Sequence, residues 1–259
     1  MRTDKIIQEK MLFHSVKDYY STDESLKWYT SLAKNTGLYD QERAMITRFT
    51  SPPSKVLDVG CGAGREALEL TKMGYTVTGL DISVELLDIA RTLAKKLRLK
   101  VDFRLVDGMN LDFEDRSFDY ILFITQMIHH IPMRSNRINL LKQAGRIVRP
   151  DGKILITYHD WNIEKNHKPW QTGLSADPKE YEISQTYNII EKGDSFTNKF
   201  HGVSSKFYTY IHHFTKESIE AEVIEAGLTI INRVDFSTIV EGKPDESWKP
   251  TKALILKCS

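Results

Sequence analysis

The residues best placed to do chemistry lie in and around "VLDVGCGAGREALELTKMGYTVTGLD", residues 56 to 81. Gly60, Gly62 and Gly64 follow a short apolar run and precede a helical pattern. That arrangement allows a tight turn and brings backbone N–H groups close to a ligand at a helix start. Asp58 stands inside the end of the first apolar run, Asp81 ends the second, and Asp107 follows the third. Such a carboxylate can accept from two adjacent donors. Each acid also has a purely structural reading: Asp58 tying down loop amides, Asp81 capping the next helix, Asp107 forming the turn in "VDGMN". The spacing Gly62-x-Gly64-x-x-Ala67 with Asp81 further on also matches a loose dinucleotide fingerprint. Its register counts against it, since a fingerprint beginning at Gly60 needs glycine where Arg65 stands. Beyond the fourth apolar run, "TQMIHHIP" offers His129 and His130. An imidazole with a reference pKa near 6.5 is a ready proton acceptor at neutral pH, while a histidine packed under a covering segment is the competing reading.

These residues need elements to hold them. "KVLDV", "YTVTGL", "VDFRLV", "FDYILFI" and "KILITY" are short runs apolar on both faces, the pattern of a buried parallel sheet. Helical periodicity fills the gaps. In "SVELLDIARTLAKKL" Val84, Leu86, Leu87, Ala90, Leu93, Ala94 and Leu97 make one stripe behind Ser83 as N-cap, and "RSNRINLLKQAGRIV" stops at the turn signal "RPDG". A helix over 215 to 227 and the runs "LTIINRVDF" and "TKALILKC" complete the set. The expectation is a doubly wound, mostly parallel, seven-stranded α/β sheet. Residues 1 to 45 read as an N-terminal helical cover and 46 to 259 as the sheet domain, with a polar and aromatic insertion over about 159 to 213. In open α/β sheets ligands bind beyond the carboxyl ends of the strands, the edge from which this insertion leaves. Tyr19, Tyr20 and Trp28 of the cover, with His159 and Tyr208, are therefore candidates for a substrate pocket.

Composition narrows the setting. The chain has 259 residues, 41% of them apolar, and 36 basic against 35 acidic side chains. A near-zero net charge argues against a substrate with many phosphates, and the basic cluster "AKKLRLK" at 94 to 100 reads as a solvated helix end. Cys61 and Cys258 fit no zinc or disulfide spacing, and no metal site is expected. No apolar stretch approaches the roughly 18 residues of a membrane span or a signal core, so the expected setting is cytoplasmic, without a membrane partner. Nothing here sets an oligomeric state.

Taken in order, "VLDVGCGAG", "VTGLDIS", "RLVDGMNLDFEDRSFDYILF" and "LLKQAGRIVRPDGKILIT" resemble the class I S-adenosylmethionine-dependent methyltransferases over roughly residues 40 to 160. The resemblance implies S-adenosylmethionine as cofactor and S-adenosylhomocysteine as product. It implies that Gly60, Cys61, Gly62 and Gly64 pass beneath the methionine portion, with Asp58 near its amino group. Asp81 would accept from the ribose hydroxyls with Ile82 alongside. Asp107 would accept from the adenine amino group beside Gly108 and Met109, and Gln126 would border the methyl. Ile82 and Met109 suit core packing equally well. The chemistry expected is in-line methyl transfer to a small-molecule acceptor, with His130 or His129 as base. A loose similarity of "IHHI" and "KFYTYIHHFTKESIEAEVIEAGL" to tRNA wobble-uridine methyltransferases leaves that acceptor as an alternative, and a non-catalytic cofactor-binding protein as another.

Overall fold

The structure is a computed structural model and describes residues 2–106, 110–162, 191–200 and 203–258. Three helices come first, α1 (Arg2–Tyr20), α2 (Asp23–Asn35) and α3 (Asp40–Phe49). Then strands and helices alternate: β1 (Lys55–Val59), α4 (Arg65–Lys72), β2 (Thr76–Asp81), α5 (Val84–Leu97), β3 (Asp102–Leu105), β4 (Phe118–Phe123), α6 (Arg134–Ile147) and β5 (Val148–His159). After β5 come β6 (Asp194–Phe200), β7 (Val203–His212), α7 (Lys216–Glu225), β8 (Leu228–Asp235) and β9 (Thr251–Cys258). Seven strands form one sheet in the order β3-β2-β1-β4-β5-β9-β8. β1 to β5 are parallel, and β9 runs antiparallel to both its neighbours. The order reverses between β1 and β4, which places a crevice beyond their carboxyl ends.

Alternation along the strands supplies two cores. Leu57 and Val59 face the core shared with α6 and α7, while Val56 faces the core under α3, α4 and α5. On α5, Ser83 Oγ accepts from the Leu86 N–H at 3.2 Å, capping the helix as its sequence suggests. The stripe is shorter than the periodicity implies: Leu86, Leu87, Ala90, Leu93 and Ala94 are buried, but Val84 is 41% and Leu97 45% exposed at the two ends, where the helix outruns its contacts.

Two features depart from the sequence reading. β6 and β7 form a separate antiparallel hairpin within what reads only as an insertion. It packs on α1 through Leu12, Val16, Phe196 and Tyr210. α3 runs across residues 45 and 46, where the sequence reading divides cover from sheet domain. No helix of the described residues is long and apolar enough to cross a membrane.

Candidate active site

The loop from β1 to α4 turns on Gly60, Gly62 and Gly64, all at positive φ. At Gly60 the reason is close approach as well as backbone conformation, since a Cβ there would lie 2.4 Å from the Met127 side chain. The loop is held from β2. Leu80 O accepts from the N–H groups of Gly60 (2.7 Å) and Cys61 (2.8 Å), Asp81 Oδ2 accepts from Gly62 N–H (2.7 Å), and Gly64 N–H donates to Cys61 O (2.8 Å). The loop amides that the sequence suggests for a ligand are thus used within the protein. A dinucleotide pyrophosphate needs such amides, so this geometry disfavours it.

Around the loop lies an excess of negative charge. Arg65, at the start of α4, reaches Glu42 of α3 through two bonds of 2.7 Å and also pairs with Glu66. Its guanidinium further donates to Gly37 O (2.8 Å) and Thr125 Oγ1 (2.9 Å), and lies over the Tyr39 ring. Asp58 is 2% exposed and its Oδ2 has no hydrogen-bond partner. Burial and then the neighbouring Glu66 push the Asp58 carboxyl well above the usual range. Asp81 is raised too, by burial, against backbone hydrogen bonds that lower it. Four acids against one arginine make a site for a cation, and an orphaned buried carboxylate oxygen awaits a donor. A sulfonium with an ammonium group suits this site, and an anionic pyrophosphate does not. Asp81 retains lone pairs for a ribose diol after accepting from Gly62 and from Ser83 N–H (2.9 Å).

One cavity, about 1110 Å³ of empty space with its mouth included, joins the loop to the cover. Gly60, Cys61, Gly62, Asp81, Ile82 and His130 line it, as does Tyr20. Several expected residues stand elsewhere. Gly64 lies where α4 meets α5, its would-be Cβ 3.1 Å from Ala90 and Phe103. Gln126 is buried behind the wall, with its N–H directed to Thr157 Oγ1 at 3.3 Å, and the neighbours Thr125 and Met127 line the cavity instead. Of the cover aromatics, Tyr19 is fully buried and Trp28 is 38% exposed. Tyr208 packs against the α1–hairpin core and His159 beside His129. Asp107, Gly108 and Met109 lie outside the described residues, although Val106 and Leu111 on either side line the cavity. Phe13, Val16, Tyr29 and Leu32 of the cover also line it, as do Arg65 and Glu66, none of which the sequence pattern singles out as a site residue. The i, i+3 and i+7 spacing of Phe13, Val16 and Tyr20 was the available signal.

The two histidines differ in surroundings. They share a 3-10 turn (Met127–His130) after Thr125 and Gln126, both in left-handed conformation. Thr125 Oγ1 donates to Glu66 Oε1 at 2.6 Å and anchors that turn. His129 donates from Nδ1 to His212 O (2.7 Å), accepts at Nε2 from His159 N–H (3.2 Å), and packs edge-on against Phe214. Its ring is committed to the fold and away from the cavity. His130 donates from Nδ1 to Tyr210 O (3.1 Å), which leaves Nε2 as the acceptor of the Tyr20 hydroxyl at 2.9 Å. Burial lowers the His130 pKa to about 4 and lowers His129 well below the ordinary value. Both rings are neutral at pH 7.

The ribose contact expected of Asp81 is open to direct measurement. Asp81→Asn should weaken S-adenosylhomocysteine binding by about 1.5 to 3 kcal/mol, the range for a hydrogen bond to a charged group. Calorimetry would show it, and unchanged affinity in a folded Asp81→Asn protein would remove the ribose role.

A family model described as a methyltransferase domain matches residues 56–152. The methyltransferase GfsG of Streptomyces halstedii is 40% identical over 105 residues, 39% of this chain and 36% of that protein. The ubiquinone biosynthesis O-methyltransferase of Hydrogenovibrio crunogenus is 27% identical over 157 residues, 60% of this chain and 59% of that protein. The chain thus spans between about a third and three-fifths of the length of these relatives. A solved S-adenosylmethionine-dependent methyltransferase from Methanosarcina mazei superposes with a TM-score of 0.64 at 22% identity, covering 86% of this chain and 98% of that one, which shows a shared fold. Residues 56–152 thus match a methyltransferase domain, set in a sheet that shares the fold of S-adenosylmethionine-dependent methyltransferases.

Proposed function

We propose that the protein transfers a methyl group from S-adenosylmethionine to a small-molecule acceptor held beneath α1 and α2. The observation that carries this reading is that a single cavity is lined on one side by the glycine loop and Asp81 and on the other by Tyr20 and His130. Cofactor and acceptor can therefore meet there, away from bulk water. The Hydrogenovibrio relative, a ubiquinone biosynthesis O-methyltransferase, points the same way.

Bound in this cavity, S-adenosylmethionine supplies a methyl group already activated on a sulfonium. The protein's own work is alignment and proton removal. Asp81 and Ile82 fix the nucleoside end, and the loop with Glu66 fixes the methionine end, while Asp58 is buried outside the cavity lining. Correct orientation of the two reactants is worth about 7 to 11 kcal/mol, more than the roughly 10²- to 10⁴-fold that a general base adds. Of the two histidines, His130 is the one we assign to the acceptor's proton. His129 we assign to holding the turn after β4 to β5 and β7. The cover comprises α1 and α2 together with the β6–β7 hairpin, and the sheet domain comprises the remainder.

Incubation with S-adenosylmethionine labelled in its methyl group tests the reading, using a cell extract divided into small molecules and bulk tRNA. Label in the small-molecule fraction supports it. Label confined to tRNA replaces the acceptor class, and cofactor binding with no transfer to either fraction would leave a binding protein.

A further inference from the structure

Resting on that reading, we infer that the acceptor is a neutral aromatic ring bearing a phenol-type hydroxyl, and that Tyr20 receives this hydroxyl with His130 behind it. The acceptor side of the cavity is built of Phe13, Val16, Tyr29 and Leu32 from the two cover helices, with Ile131 and Leu140 opposite. This wall is apolar and aromatic, and suits a flat ring. Among its described residues the polar groups are two phenol hydroxyls and one imidazole. Tyr20 lies 5.5 Å from the Tyr29 ring and 5.3 Å edge-on from His130.

Among the described residues this wall carries no charged side chain, which narrows the class. An amine acceptor arrives as an ammonium at neutral pH and needs a carboxylate beside it. The acids that line the cavity, Glu66 and Asp81, are already engaged, Glu66 by Arg65 and Asp81 by the N–H groups of Gly62 and Ser83. The strength of the base narrows it again. An imidazole as weakly basic as His130 matches an acceptor that gives up its proton readily. A phenol ionises near pH 10, whereas an oxygen of water-like acidity does so near 15.7. Of the two, the phenol is the better match.

Tyr20 sits between the two partners because His130 Nε2 already holds the Tyr20 hydroxyl at 2.9 Å, and His130 Nδ1 is committed to Tyr210 O. As the acceptor oxygen bonds to the methyl carbon, the carbon–sulfur bond breaks and its electron pair stays on sulfur. The acceptor's proton passes to Tyr20 Oη, and Tyr20's own proton passes to His130 Nε2. Tyr20 ends as it began, and the imidazole carries the proton until it is released to solvent. The positive charge of the cavity is conserved, moving from sulfur to the ring. The excess of buried acids around the loop serves both states. Tyr20 is then a catalytic residue and His130 a positioning and proton-storing one that acts through it.

Labelled S-adenosylmethionine and a panel of catechol, 2-methoxyphenol and 4-methylphenol test this, with benzylamine and benzyl alcohol as contrasts. O-methylated products from at least one phenol and none from the contrasts are expected. Tyr20→Phe keeps the ring and removes only the hydroxyl. It should lower kcat about 100-fold with KM changed less than threefold, His130→Gln should match it, and the double variant should lose no more than either alone. Methylation of benzylamine or benzyl alcohol instead, or of none of the five, overturns the acceptor class. A kcat for Tyr20→Phe within threefold of the parent overturns the relay. S-adenosylhomocysteine binding, measured by calorimetry on the same samples, separates the levels: if it binds while every phenol fails, only this inference falls, and if it does not bind, the methyltransferase reading falls with it.

Discussion

Arg65→Met should destabilise the protein by about 3 to 5 kcal/mol, the cost of removing one partner from a buried ion pair. The guanidinium is 5% exposed and is shared by Glu42, Glu66, Gly37 O and Thr125, so its loss strands two buried carboxylates at once. Those groups would take up protons rather than remain charged in an apolar setting. Glu42 is already raised by burial, against the hydrogen bond from Arg65 that lowers it. The loss should therefore be larger at pH 8 than at pH 5, and adding Glu42→Gln should recover part of it. Urea denaturation of the single and double variants at the two pH values measures this. A loss under 1 kcal/mol, or one independent of pH, would show that the cluster does not tie α3 to the glycine loop.

Acid should destabilise the fold well above the pH at which carboxylates protonate. His130 and His159 have pKa values lowered by burial to about 4, and burial also holds His129 well below its ordinary value. In the unfolded chain these rings titrate near 6.5. As pH falls through 6.5 the unfolded state takes up protons that the folded state refuses, so stability drops. The contribution is complete above about pH 6.5 and is lost progressively down to about pH 4 for His130 and His159. For His130 alone the shift corresponds to about 3 kcal/mol at 1.36 kcal/mol per unit. Urea midpoints measured from pH 7 to pH 4.5 should fall steadily, and His130→Gln should flatten part of that slope. A level profile across this range would mean that the rings are hydrated in solution.

What was legible in the sequence is what depends on local pattern. The strand runs, the glycine turn, Asp81 at a strand end and the Ser83 cap are each set by neighbours within a few residues, so spacing reveals them. Arg65 shows the limit. In the sequence it is only a residue that spoils a dinucleotide fingerprint. Its partner Glu42 is 23 positions away on another helix, and only the docking of α3 brings them together. The wall facing the acceptor was hidden for the same reason. Tyr19, Tyr20 and Trp28 are alike as aromatics, but helix rotation turns Tyr20 into the cavity, Tyr19 into the core and Trp28 outward. The separation of His129 from His130 likewise depends on β7, whose His212 and Tyr210 carbonyls receive one ring each.

Titration calorimetry with S-adenosylhomocysteine, and with NADH under the same conditions, separates a sulfonium-cofactor site from a dinucleotide site. The buried acids and internally satisfied loop amides predict saturable one-to-one binding of S-adenosylhomocysteine, weakened in Asp81→Asn, with no heat from NADH. Saturable binding of NADH, or no binding of S-adenosylhomocysteine by folded protein, would contradict the account.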